Sequence, residues 1–474
     1  MKRRYVVGAA TAGVLLAGAV AVNVAIGDVV TVFTSGSAKM LCTDIFVAGR
    51  DPALAWRQDF KRLSTPGKYL GVVKPKVDLA GKTVTASLWG YKTRAAIFRQ
   101  GIGCTAAEGA SVAALRAQGQ GVATALPRPD PDTLWPEGGA TQIGHLPPGV
   151  DGSALTAAID KVFTESDPAR PINTRGVVII YKGRIIGERY GEGFDTETAH
   201  LSNSVAKSVT ATLIGILVGQ GRLDLNKPAP IAEWGGPGDP RGAITLDNLM
   251  RMSSGLQFEE SYSKVKSDIT MQYVGGDLAG YSAAKPLEVP PGTRWQYSTG
   301  TSNILGRIVT EAAGPDLPTA FAFPRKALFE PLGMRTAVFE PDAAGNLVGG
   351  SSFYASARDY GRLGLLYLND GLWDGKRILP EGWVDYVRRP TPGSDGRYGA
   401  QFWLRGKHSH DLGIPPDMFN MNGHQGQHVV IIPSRDLVVV RVGLSEFDTW
   451  DATAFVADVL RALPAPSAGK GRPV

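Results

Sequence analysis

The sequence predicts an α/β protein of the α+β kind: an antiparallel sheet flanked by helices, a helical subdomain, and a small extra module ahead of both. Three observations carry this reading. Strand-like apolar runs stand at both ends of the main body, at 177–190 and again at 428–442, with helix- and loop-forming sequence between them, so the sheet is assembled from distant parts around a helical insertion. An apolar stretch from Val209 to Val218 follows a polar tetrapeptide, Ser204 to Lys207, as a buried helix would. Residues before 150 carry their own short strands and end in a proline-rich boundary.

In order along the chain, Lys2, Arg3 and Arg4 precede an apolar run from Tyr5 to Gly27. That is the layout of an export signal, with Ala19-Val20-Ala21 as a cleavage site. The run also reaches the about 20 residues that span a bilayer. Residues 1–27 are therefore a signal peptide or an inner-membrane anchor, and the body is exported, periplasmic or otherwise extracytoplasmic. The formal charge of +6 is spread along the 474 residues rather than gathered in a block, which predicts no nucleic-acid partner.

Residues 28–150 read as an N-terminal module and linker. Lys82 to Trp89 and Arg94 to Phe98 are strands around a turn at Gly90. Cys42 and Cys104, the two cysteines of the chain, read as a disulfide in an exported protein. Closing a loop of that length stabilises by about 4 kcal/mol in the chain-entropy model. Prolines crowd between Pro127 and Gly149 as a linker or a wrapping arm.

The main domain spans 151–465. Ala154 to Phe163 is predicted helical, and Val177–Tyr181 with Ile185–Tyr190 forms a hairpin about Lys182-Gly183-Arg184. Arg358 to Leu368 is a helix ended at Gly371. Gly399–Leu404, His428–Ile432 and Leu437–Val442 are strands, and Asp451–Leu463 is a closing amphipathic helix. The tail, 466–474, reads as disordered.

The chemistry centres on Ser204-Val205-Ala206-Lys207. Positions three apart on a helix are neighbours, so the Lys207 amine reaches the Ser204 hydroxyl. The helix start and burial lower the lysine pKa, and the neutral amine activates the serine. The same spacing recurs at Ser261/Lys264, Ser263/Lys266, Ser282/Lys285 and Ser467/Lys470, but in polar or tail segments with no apolar helix behind them. The bland alternative for Ser204 is a helix-capping serine. Two further stretches offer the rest of an acyl-transfer site: Trp295 to Gly306, holding Tyr297-Ser298, and Asn422 to His428.

The order Ser-x-x-Lys, then Tyr-Ser about 90 residues on, then His-x-Gly, resembles the serine β-lactamase/penicillin-binding superfamily. Within it the chain is similar to the class C β-lactamase-related serine hydrolases, the branch with 6-aminohexanoate-dimer hydrolases and esterases. Ile244-Thr245-Leu246-Asp247-Asn248-Leu249 with Met252-Ser253-Ser254-Gly255-Leu256, and Pro291-Gly292-Thr293-Arg294-Trp295-Gln296-Tyr297-Ser298, resemble further stretches of that family. The resemblance covers Thr174 to Leu463 and implies a β-lactamase-like fold. It implies Ser204 as the acylated nucleophile, Lys207 as its base, and Tyr297 as a proton shuttle whose phenol is favoured as an anion by a nearby ammonium. His424-Gln425-Gly426 would replace the family's Lys-Thr-Gly strand and pair with an extended substrate. The N–H groups of Ser204 and Gln427 would form the oxyanion hole.

Two positions depart from the family pattern. Thr299 stands where Tyr-x-Asn has its amide; the Tyr367/Asn369 string lies at the end of a helix and is structural. Lys-Thr-Gly, whose lysine meets an antibiotic's carboxylate in β-lactamases, is absent. The resemblance thus implies an enzyme cleaving a small-molecule amide or ester through an acyl-enzyme, with 6-aminohexanoate-type oligoamides among its substrates. A penicillin-interacting enzyme, whether β-lactamase, D,D-peptidase or D-aminopeptidase, and a non-catalytic envelope binding protein are the competing readings. No cofactor is implied. His408, His410, His424 and His428 cluster in sequence, but Gly423 and Gly426 break any shared helical face for a metal. Tyr262 and Tyr273 lie in the loop region where relatives of the nylon-oligomer type place a substrate-contacting tyrosine, though each reads more readily as a surface or core tyrosine. No Gly-x-Ser-x-Gly occurs, which argues against an α/β-hydrolase.

Overall fold

The computed structural model describes residues 27–60, 73–122, 130–141, 143–264, 266–446 and 449–465. The apolar run expected to be a signal or anchor and the tail expected to be disordered lie outside them, apart from Gly27. Among the described residues no helix is long and apolar enough to cross a membrane.

The central sheet has six strands, all antiparallel, in the order Trp403–Leu404, Phe419–Gly423, Gln427–Ile432, Leu437–Gly443, Thr174–Tyr181, Arg184–Tyr190. Both ends of the domain therefore supply strands, as the sequence predicts. Side chains alternate across a strand. Val178, Ile180, Val438 and Val440 enter the larger core beneath the helical region. Val177, Ile179, Leu437 and Val439 enter a second core. That second core is closed by two helices, Gly152–Phe163 and Ala452–Arg461, each capped by an aspartate, Asp151 and Asp451. Burial on both faces explains why these strands read as continuous apolar runs instead of alternating ones.

On the other face lies the helix Val205–Gly219, buried on all sides through Leu217, together with Thr299–Ala313 and Ala357–Leu368. A helix that is apolar all round belongs inside. One predicted strand is shorter than expected. Gly399 to Phe402 is irregular and only Trp403–Leu404 pairs, because Gln401 adopts φ +62° and turns its amide inward to Ser302, Leu249 and Met250.

The N-terminal module has more structure than the sequence announces. A helix over 27–46 packs on a four-stranded antiparallel sheet, Lys74–Asp78, Thr83–Leu88, Tyr91–Arg99 and Gly103–Ala106. Cys42 on the helix and Cys104 on the last strand are joined by a disulfide. The module packs directly against the main body. Glu340 of the main domain is fully buried against it, taking hydrogen bonds from Lys39, Thr43 and the Cys104 N–H. The proline-rich segment wraps the domain: Trp135 is buried in the main core, and Arg184 and Arg362 donate to the Trp135 and Pro136 carbonyls.

Candidate active site

The nucleophile loop is set by a short sheet. Strand His200–Leu201 pairs with Phe353–Ala355, and the Ser202 N–H donates to Phe353 O at 2.9 Å. Asn203 then turns at φ +46°, and Ser204 takes the N-cap position of Val205–Gly219. Its side chain makes no capping hydrogen bond. The capping alternative is thereby removed, and the hydroxyl is free for chemistry.

Lys207, one turn on, is 1% exposed. Its Nζ lies 3.0 Å from Ser204 Oγ, 3.0 Å from Thr299 Oγ1 and 2.8 Å from Gly350 O. Burial pushes the amine down to about 8, with Glu260 pulling the other way. Gly350 is itself held by Asn303, whose Oδ1 accepts its N–H at 3.0 Å, and Asn303 is held in turn by Gln272.

Tyr297 is brought in by the loop before helix Thr299–Ala313. The Gln296 N–H donates to Met252 O, and Ser298 caps the helix through the Thr301 N–H. Tyr297 lines the same cavity as Ser204, and Lys207 Nζ sits 5.0 Å from its ring centre. Trp403 and Tyr398 fix the ring, at 5.4 and 5.8 Å between centroids. The expected phenolate is corrected here. Burial pushes the phenol well above its ordinary value, opposed by Ser204 and reinforced by Glu260. With its pKa raised, Tyr297 is a neutral phenol in the resting site.

His424-Gln425-Gly426 also differs from expectation. These residues form a tight turn between two strands, with Gln425 at φ +64° and Gly426 at φ +86°, so they present no open strand edge. The turn sits hard against the nucleophile loop: a Cβ at Gly423 would lie 2.2 Å from Ser202 O. Asn203 Nδ2 donates to His424 O at 2.7 Å. The His424 ring stacks on Tyr262 at 4.6 Å and 8°. Burial pushes His424 down to about 4, so it is neutral near pH 7. The Gln427 side chain points into the fold, donating to Gly443 O at 2.6 Å and to the His424 and Gln425 carbonyls.

These groups meet at one cavity of about 840 Å³, lined by Ser204, Tyr262, Tyr297, Trp403, His424, Gly426 and Trp450 among others. Of the clustered histidines, His408 pairs with Asp451 at 2.7 Å and half-buried His428 meets Trp450 edge-on. Tyr273 is a half-buried tyrosine bonded to Ser351. Tyr367 is a core residue bonded to Thr212, as its helical position suggested.

Sequence reasoning missed Glu260 and Asn203 and took Thr299 for a loss. The Glu260 carboxylate receives the Thr299 N–H at 2.7 Å, the Thr299 hydroxyl at 2.6 Å and the Tyr262 hydroxyl at 3.0 Å. Glu260 lies in a polar loop 37 residues before Tyr297, with no periodicity to flag it.

Comparisons with known proteins place the fold. The family model described as Beta-lactamase matches residues 159–454. The 6-aminohexanoate-dimer hydrolase of Paenarthrobacter ureafaciens is 25% identical over 320 residues, covering 62% of this chain and 79% of that protein. Esterase EstB of Burkholderia gladioli is 28% identical over 214 residues, 40% of this chain and about half (53%) of that protein. Among solved structures, a 6-aminohexanoate-dimer hydrolase homologue from Bacillus anthracis aligns with TM-score 0.50 at 22% identity, covering 66% of this chain and 83% of that one. A β-lactamase homologue from Bacteroides dorei aligns with TM-score 0.52 at 19% identity, covering 66% and 98%. With the family model matched over well more than half its length, the chain belongs to the beta-lactamase family and is a serine hydrolase of the β-lactamase-related type.

Proposed function

We propose that this protein hydrolyses an amide or ester bond through an acyl-enzyme on Ser204, with Lys207 as base and Tyr297 as proton donor to the leaving group. The observation that carries this is the buried Lys207 amine at 3.0 Å from a serine hydroxyl with no capping duty. Ser204 Oγ adds to the carbonyl carbon while its proton passes to Lys207. In this reading the main-chain N–H groups of Ser204 and Gln427 receive the developing oxyanion, and the Gln427 side chain is held by Gly443 O. Tyr297 gives its proton to the departing amine or alkoxide and regains one from the Lys207 ammonium. Water then repeats the sequence on the acyl-enzyme and releases the acid.

Amides of the 6-aminohexanoate type and simple esters are the substrate classes named by the relatives. β-Lactams are disfavoured. A neutral histidine, His424, replaces the cation that would meet an antibiotic's carboxylate. The reading extends to an exported protein, held or directed by the apolar run at 5–27, with a hydrolase domain over 151–465 behind an N-terminal module over 28–150.

A fluorophosphonate probe tests the central claim. Labelling at Ser204, located by mass spectrometry and lost in Ser204→Ala, is the expected result. A wild-type protein left unlabelled overturns it.

A further inference from the structure

Hydrogen-bond accounting around Lys207 leads to Glu260. A hydroxyl has one proton to give, and an ionised carboxylate accepts only. Thr299 Oγ1 has two polar neighbours in reach, Glu260 Oε1 at 2.6 Å and Lys207 Nζ at 3.0 Å. The shorter contact is in the range of a charge-assisted O–H···O⁻ bond, so the Thr299 proton goes to Glu260. Thr299 can then only accept from Lys207. Gly350 O, at 2.8 Å, likewise only accepts. A neutral amine has two protons and one lone pair. Both protons are taken by Thr299 and Gly350, which leaves the lone pair for the Ser204 hydroxyl at 3.0 Å.

We infer that Glu260 is a positioning residue that sets the direction of the Thr299–Lys207 hydrogen bond, and so turns the lysine lone pair onto Ser204. The inference rests on the proposed role of Lys207 as base. Thr299 with Glu260 does the work of a single fixed acceptor: the carboxylate strips the hydroxyl of its ability to compete with Ser204. The carboxylate is held for this purpose at the start of helix Thr299–Ala313, where it also takes the first N–H of the helix. Anions are favoured at that end. Tyr262 donates to the same Oε1 from the cavity wall, which links the relay to the substrate side.

Glu260→Gln reverses the polarity. The Thr299 N–H still requires an acceptor, so the Gln oxygen turns to it and the Gln amide N–H₂ faces the Thr299 hydroxyl. The Thr299 proton is then released toward Lys207 Nζ and competes for the lone pair. The rate constant of fluorophosphonate labelling at Ser204 reads this without a known substrate. Glu260→Gln is expected to slow labelling by about 10–100-fold, part of what general-base catalysis supplies. Thr299→Val slows it too, and Thr299→Ser, which keeps the hydroxyl, stays near wild type. Glu260→Gln added to Thr299→Val produces no further loss, because no hydroxyl remains to be reversed. Removing the carboxylate charge also moves the acid limb of the pH profile to lower pH, since Glu260 raises the lysine.

A role confined to capping the helix predicts otherwise. Gln keeps an acceptor for the Thr299 N–H, so the single variant would label normally, or its loss would add fully to that of Thr299→Val. Either result, in variants whose thermal midpoints match wild type, overturns the inference. An unlabelled wild type sinks the acyl-enzyme reading itself, whereas a labelled wild type with an equally labelled Glu260→Gln sinks only the role of Glu260.

Discussion

The Asn203 side chain donates to the main-chain oxygen of His424 at 2.7 Å, tying the residue before the nucleophile to the turn that walls the cavity. The two are 221 residues apart in sequence. Asn203 also holds φ +46°, a conformation that asparagine tolerates better than other residues with a Cβ. It thus does two things at once, and two substitutions separate them. Asn203→Ala loses the tie and strains the backbone, together about 2 kcal/mol. Its thermal midpoint is expected to fall by several degrees and Ser204 labelling to slow. Asn203→Gly relieves the backbone but not the tie. Its midpoint is expected to recover much of the loss while labelling stays slow. Recovery of both would mean that only the turn conformation matters.

The acid limb of Ser204 labelling is set by Lys207. The amine acts as a base only when unprotonated, and burial places its pKa at about 8. Labelling is therefore expected to rise with pH, about tenfold per unit well below that value, and to level off above it. Lys207→Arg keeps the positive charge but remains protonated at every accessible pH. It is expected to lose at least about 100-fold, with no acid limb between pH 6 and 9. An arginine variant that keeps the wild-type profile would assign the base to another group.

Much of this site was legible in the sequence because its groups lie on regular elements. Ser204 and Lys207 share one helical face, and the apolar run behind them announces the helix. The strands Thr174–Tyr181, Gln427–Ile432 and Leu437–Gly443 were legible because they carry apolar residues on both faces, whereas Phe419–Gly423, with two asparagines, was not anticipated. What failed to show was set by tertiary contacts. The His424–Gly426 turn was expected as a strand from the family's Lys-Thr-Gly pattern, and two successive positive φ values reveal the hairpin instead. The Tyr297 phenolate was expected from a nearby ammonium, but burial, with Glu260 beside it, pushes the phenol up. Glu260 and Thr299 are unremarkable apart; their meaning lies in a 2.6 Å contact across 39 residues.

The N-terminal module is the part the sequence understated, and its attachment makes the last prediction. Glu340 is wholly buried and is answered by Lys39, by Thr43 at 3.1 Å and by the Cys104 N–H at 2.6 Å. Lys39 also reaches the Tyr354 hydroxyl at 3.0 Å, and Tyr354 pairs with Leu201, three residues before the nucleophile. Lys39→Met leaves a buried carboxylate without its cation, which costs about 3–5 kcal/mol. Lys39→Met with Glu340→Gln removes both charges and is expected to regain much of that loss. Replacing Cys42 and Cys104 by serine releases a cross-link spanning 62 residues of sequence, worth up to about 4 kcal/mol in the chain-entropy model. Thermal denaturation of the three variants, read beside Ser204 labelling, checks the argument. If the module supports the nucleophile loop through Tyr354, Lys39→Met slows labelling even where the protein remains folded, and the doubly neutral pair restores it. A Lys39→Met protein with wild-type midpoint and labelling would mean that the module rides on the hydrolase domain without bracing it.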